Sequence, residues 1–121
     1  MDQYVGLDVS QDETHICVVD RDGNKLWEGS CPSTPEGIGA AVKEHAPNAV
    51  KIGLESGHLS TWHWHGLNDM GLPAICIDAY HAHGVLRLQM NKTDKNDAHG
   101  IAQIMRCNWY KEFTIKSFEN H

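Results

Sequence analysis

Three strand-type runs follow one another within the first 31 residues, before any helical pattern begins, and after them helical and strand patterns alternate. Few folds accept that order. Residues 3 to 9 form the first run, and after a polar break at Ser10-Gln11-Asp12-Glu13, residues 14 to 20 form the second. Arg21-Asp22-Gly23-Asn24 has the composition of a turn with Asp-Gly at its centre, so residues 25 to 31 can pair back as a third strand in an antiparallel meander. Ser33-Thr34-Pro35-Glu36 then signals a helix: a hydroxyl cap, a proline at the first helical position, and an acid where the helix dipole favours one. That helix is expected over Pro35 to His45, stopped by Pro47.

Residues 50 to 54 read as a fourth strand, 59 to 70 as a second helix ended by Gly71, and Ala74 to Ile77 as a fifth strand. A short helix is expected from 79 to about 88, followed by a polar stretch from 89 to 93. The last helix is expected over 94 to 106, capped by Thr93, with Ala98, Ile101, Ala102 and Met105 at helical spacing.

Acids mark particular places in this order. Asp8 ends the run Tyr4-Val5-Gly6-Leu7 and Glu55 ends Val50-Lys51-Ile52-Gly53-Leu54, so two strands each deliver a carboxylate at their C-terminal end. Lys92-Thr93-Asp94-Lys95-Asn96-Asp97-Ala98 adds two carboxylates three residues apart, which are neighbours on one helical face. Hard oxygen donors gathered from two strand ends and a helix turn suit Mg²⁺ or Mn²⁺. Two such ions about 3.5 to 4 Å apart can activate a nucleophile and stabilise the leaving oxygen of an in-line phosphoryl displacement. Asp8, on a strand of the core sheet, is the expected bridging ligand, since a rigid element fixes it best. Lys92 and Lys95 flank the helical pair and are candidates for a DNA phosphate, with Ser10 and Thr93 as further candidate nucleic-acid contacts.

The element order βββαβαβα resembles that of the ribonuclease H-like fold, an α/β architecture with a mixed five-stranded sheet flanked by helices. Gly6-Leu7-Asp8-Val9-Ser10, Leu54-Glu55-Ser56-Gly57 and the segment from Lys92 to Ala98 together resemble the signature of the DEDD-type transposases of the insertion-sequence one-ten family. The N-terminal domain of that family is RuvC-like. The resemblance spans about residues 4 to 118 and implies a metal-dependent domain of a DNA recombinase, with Asp8, Glu55, Asp94 and Asp97 as its four catalytic, metal-binding acids. It further implies DNA as substrate, a structured guide RNA, homo-oligomers, and a C-terminal domain carrying a nucleophilic serine. On this reading residues 1–108 form the RuvC-like domain, and residues 109–121 lead into a linker helix and a serine domain absent from this chain. The fragment alone is expected to be inactive.

A chain of 121 residues is long enough to bury one core without staples. Cys17, Cys31, Cys76 and Cys107 form no CxxC pair, and three of them lie in or beside apolar runs, so free thiols in a reducing compartment are expected. No charged-then-apolar leader is visible and no apolar run approaches the ~18 residues of a membrane span, so a cytoplasmic protein is expected. The net charge of −6 opposes phosphate binding at first sight. Residues 1 to 80, however, carry twelve acids against four bases, while residues 81 to 121 carry four acids against six bases. The positive share therefore adjoins Asp94 and Asp97, and bound metal would cancel more of the negative charge.

Other constellations compete less well. His58, His63 and His65 invite a zinc site, but His63 and His65 face different sides of a helix and no cysteine stands near them in sequence, so a polar face beside Trp62 and Trp64 is the expectation. His81 and His83 read as a solvated loop, and Trp109 and Tyr110 as a cover for the core or the linker helix. A nucleotide-binding fragment of an actin-like fold lacks the glycine-rich turn it would need after Asp8. A catalytically silent binding or oligomerisation module predicts no useful metal affinity.

Overall fold

Gln3–Val9 (β1), Glu13–Asp20 (β2) and Lys25–Pro32 (β3) form the expected meander, in a computed structural model that describes residues 1–78, 97–113 and 115. The β2–β3 turn closes through Asp20, whose Oδ1 accepts the N–H groups of Asp22 and Asn24, both at 2.9 Å. Gly23 supplies the left-handed residue, with φ 89°. Ala49–Glu55 (β4) then pairs parallel to β1, and Ala74–Ile77 (β5) parallel to β4, giving a mixed sheet in the order β3-β2-β1-β4-β5.

Alternation along the strands divides the core. Val5, Leu7, Ile16, Val18, Ile52 and Leu54 pack on one face with Ile38 and Val42 of α1 (Pro35–His45) and Leu67 of α2 (Ser60–Asp69). Helix α1 begins as its sequence signals: Thr34 Oγ1 accepts the N–H of Gly37 at 2.9 Å and Pro35 occupies the first turn. The opposite face carries Tyr4, Cys17 and Val19, covered by Ala98 and Ala102 of α3 (Asp97–Cys107), while Ile101, Ile104 and Met105 pack on Ile77.

Two strand glycines let α3 settle directly on the sheet. A Cβ at Gly6 would stand 2.0 Å from the carbonyl oxygen of Ala98 and 2.4 Å from the amide of Ala102, and one at Gly53 would stand 2.8 Å from Sδ of Met105. A chain of polar contacts fixes the helix laterally. Arg106 Nε donates to Gln103 Oε1 at 2.8 Å, and Gln103 Nε2 donates to Gly23 O at 2.9 Å and to His99 Nε2 at 3.3 Å. His99 Nε2 must then accept, so the ring proton lies on Nδ1, which faces Cys17 Sγ at 3.4 Å. Burial pushes the Cys17 thiol up to about 11, so it stays protonated. The helix ends at Asn108, whose φ of 60° is the left-handed conformation asparagine tolerates.

After α3 the chain returns to the sheet. Lys111 O accepts from Asp78 N and Cys76 O accepts from Phe113 N, both at 2.8 Å, with Glu112 bridged to Ile77 beside β5. Tyr110 packs against the Ile77 cluster, whereas Trp109 stands half exposed. All four cysteines are free, with Cys17, Cys31 and Cys76 buried. Among the described residues no helix is long and apolar enough to cross a membrane. The helix expected over 79–88 and the first three residues of the one expected over 94–106 lie outside the described residues.

Candidate functional site

The parallel pairing of β1 with β4 brings the two strand-end acids together. Its last register pair is Leu7 with Leu54, and Asp8 and Glu55 each follow as the next residue. Both are half-buried and both line one cleft of about 130 Å³, together with Ser10, Gln11, Ser56 and the first turn of α2. On the other side of β1, Asp8 stands in register with His15 of β2.

Asp97 opens α3 and is exposed, one residue before the Ala98 carbonyl that rests on Gly6. The glycine contact thus holds the N-terminus of α3 over β1, two residues from Asp8. An acid there also suits the positive end of the helix dipole. Asp94, Lys92, Thr93 and Lys95 lie outside the described residues. Ser10 lines the cleft, but its hydroxyl already donates to the Glu13 carbonyl at 2.6 Å within the β1–β2 turn.

Beside Asp8 the α3 side of the sheet carries a compensated charge cluster. Glu28 accepts from His15 Nε2 at 3.0 Å and from Lys25 Nζ at 2.9 Å. Those hydrogen bonds, the one from His15 foremost, hold the Glu28 carboxyl below the usual carboxylate range. His15 Nδ1 then accepts from the Ser30 hydroxyl at 3.4 Å.

The donor set fits a hard divalent cation in part. Asp8 and Glu55 offer carboxylate oxygens from rigid, adjacent strand ends, as Mg²⁺ or Mn²⁺ requires. Among the described residues no group of three or more His, Cys, Asp or Glu side chains gathers closely enough to hold a metal ion. The expected set draws one of its four acids, Asp94, from outside them.

One residue departs from expectation. His63, read as part of a polar face, is fully buried and lines the same cleft as Asp8 and Glu55. Ser60, His63 and Leu67 share the core-facing side of α2, at the i, i+3, i+7 spacing of one helical face. That spacing is the signal in the sequence that marks His63 as inward. Trp64 packs against the core and Trp62 is half exposed.

Comparison with known proteins extends this picture. A RuvC from Thermus thermophilus matches with a TM-score of 0.61 and 13% identity, over 92% of this chain and 99% of that one. A T. thermophilus RuvC in complex with a Holliday junction substrate matches with a TM-score of 0.58 and 15% identity, over 93% of this chain and 100% of that one. These likenesses establish the expected ribonuclease H-like fold of the RuvC kind. No curated protein matches the sequence. The family model for DEDD transposases of the insertion-sequence one-ten type, described as a transposase, matches residues 5–120. With its fold and nearly its whole length accounted for in this way, the chain belongs to that transposase family.

Proposed function

We propose that this chain is the metal-dependent domain of a DNA transposase, which positions a DNA phosphodiester through two Mg²⁺ or Mn²⁺ ions held by Asp8, Glu55, Asp94 and Asp97. The observation that carries this reading is the family match over residues 5–120, falling on a fold whose cleft presents Asp8 and Glu55 side by side. When bound, the ions supply Lewis acidity for activating a nucleophile and stabilising a leaving oxygen. The chain's own residues do the rest. Asp8 and Glu55 hold a fixed carboxylate pair on the sheet, Asp94 and Asp97 approach it from the start of α3, and Lys92 and Lys95, with Ser10 and Thr93, contact the DNA backbone.

Residues 1–108 form the metal-binding unit in this reading, and 109–121 lead toward a domain whose serine attacks DNA. A structured RNA directs the choice of site, the assembled protein is oligomeric, and it acts in the cytoplasm. The fragment alone is inactive, since the nucleophile lies elsewhere.

Mn²⁺ binding by calorimetry tests the core of this. Asp8→Asn and Asp97→Asn should each lower the affinity about tenfold or more while the thermal transition stays intact, joining two distant motifs into one site. Equal affinity in all three proteins would overturn the assignment.

A further inference from the structure

His63 has no structural reason to be a histidine. It is fully buried, yet neither ring nitrogen hydrogen-bonds to the protein. Its neighbour on the core side of α2 is satisfied: the Ser60 hydroxyl donates to Gly57 O at 2.7 Å and accepts from Gly57 N at 3.2 Å. Burial holds the His63 pKa below its ordinary value, so the ring is neutral at pH 7. A neutral imidazole still carries one donor and one acceptor, and leaving both idle in a core is a standing cost. An apolar side chain of similar volume would fill the space without it.

The place of His63 in the fold supplies a reason. It lines the cleft that Asp8 and Glu55 line, under the start of α2, a helix that has no side-chain N-cap. The other cleft residues include Ser10, Gln11, Ser56 and His58, so the walls are polar. At ~30 Å³ per molecule, a cleft of about 130 Å³ has room for roughly four waters, and buried polar groups that lack protein partners are where such waters are held.

We propose that His63 is a positioning residue of the acid cleft: its imidazole takes its hydrogen-bond partner from ordered water there, and that water supports the strand ends bearing Asp8 and Glu55. This deepens the metal-binding reading above and rests on it. His63 is not a ligand in this scheme. It acts through water on the groups that are, and the loss of such outer hydrogen bonds lowers metal affinity by about 10- to 100-fold.

The test uses the 121-residue chain and its His63→Leu, His63→Gln and Asp8→Asn variants. NMR cross-relaxation between water and the His63 ring protons in the metal-free protein reports the proposed water directly. Calorimetry with Mn²⁺ and thermal unfolding report its consequences. We expect long-lived water contacts at His63, Mn²⁺ affinity lowered about tenfold in His63→Leu with no loss of thermal stability, and most of the affinity restored in His63→Gln. A dry ring would overturn the proposal. So would a His63→Leu protein of raised stability whose Mn²⁺ affinity stays within twofold of wild type, the behaviour of a residue that only fills the core. If His63→Leu does not fold, His63→Gln and the water contacts decide. If Asp8→Asn leaves Mn²⁺ binding unchanged, it is the metal reading that fails, and the water contacts alone then decide whether His63 is hydrated.

Discussion

A buried histidine held neutral makes stability depend on pH in a definite direction. Burial lowers the pKa of His63 from the ordinary 6.5, and that of His99 likewise, so the unfolded chain binds protons that the folded chain refuses. The full stability is present above the unfolded pKa near 6.5 and is lost as pH falls through that value toward the lower folded one. Each such group contributes a slope of at most about 1.4 kcal/mol per pH unit. Thermal midpoints should therefore fall between pH 7.5 and 5.5, and His63→Leu should remove about half of the decline. Identical slopes in the two proteins would mean that His63 titrates as it does in water. The sequence shows the inward spacing of Ser60, His63 and Leu67, but three histidines and two tryptophans within eight residues dilute any apolar stripe. Hydrophobicity alone therefore places His63 on the wrong side of the helix. Asp8 and Glu55 are easier to read, because a carboxylate directly after an apolar run marks a strand end by local pattern.

Among the elements, α3 decides where the second pair of acids stands, and its seat depends on glycine. At Gly6 the obstacle to a methyl group is helix backbone, 2.0 Å away, whereas at Gly53 it is the flexible thioether of Met105. Gly6→Ala must lift α3 from the sheet or displace β1, at an overpacking cost of about 1–3 kcal/mol or more. Gly53→Ala can be absorbed by a Met105 rotation. Gly6→Ala should thus lower the melting temperature by several degrees more than Gly53→Ala. It should also weaken Mn²⁺ binding though it removes no carboxylate, because Asp97 moves with the helix. Equal effects of the two substitutions on both measurements would count against a backbone seat for α3. The Asp-Gly turn and the Thr34-Pro35 helix start were legible because each is satisfied by atoms within a few residues. The facing of Gly6 and Gly53 was not, since it arises only when β1 and β4 pair in parallel across more than 40 intervening residues. The order of elements could be read, but the close approach that gives it precision belongs to the tertiary structure.

For the whole molecule the open balance is between a net charge of −6 and a polyanionic substrate. Without metal, every carboxylate in the site repels DNA phosphate. With metal bound, the same carboxylates provide the means of attachment. Neutralising one of them should therefore act in opposite directions under the two conditions. At about 7 Å in water, one unit charge is worth roughly 0.6 kcal/mol against a phosphate, or about two- to threefold in affinity. Asp97→Asn should bind a short labelled DNA duplex two- to threefold more tightly than wild type in EDTA at low salt, and more weakly than wild type in Mn²⁺. Added salt should shrink the EDTA difference as screening grows. Fluorescence anisotropy at two salt concentrations, with and without Mn²⁺, measures all of this in one series. A silent binding module predicts the EDTA effect alone, with no reversal, because its acids only repel. A reversal would locate the metal and the DNA at one place on this sheet, since only a carboxylate that holds the ion can change sign as the ion is added.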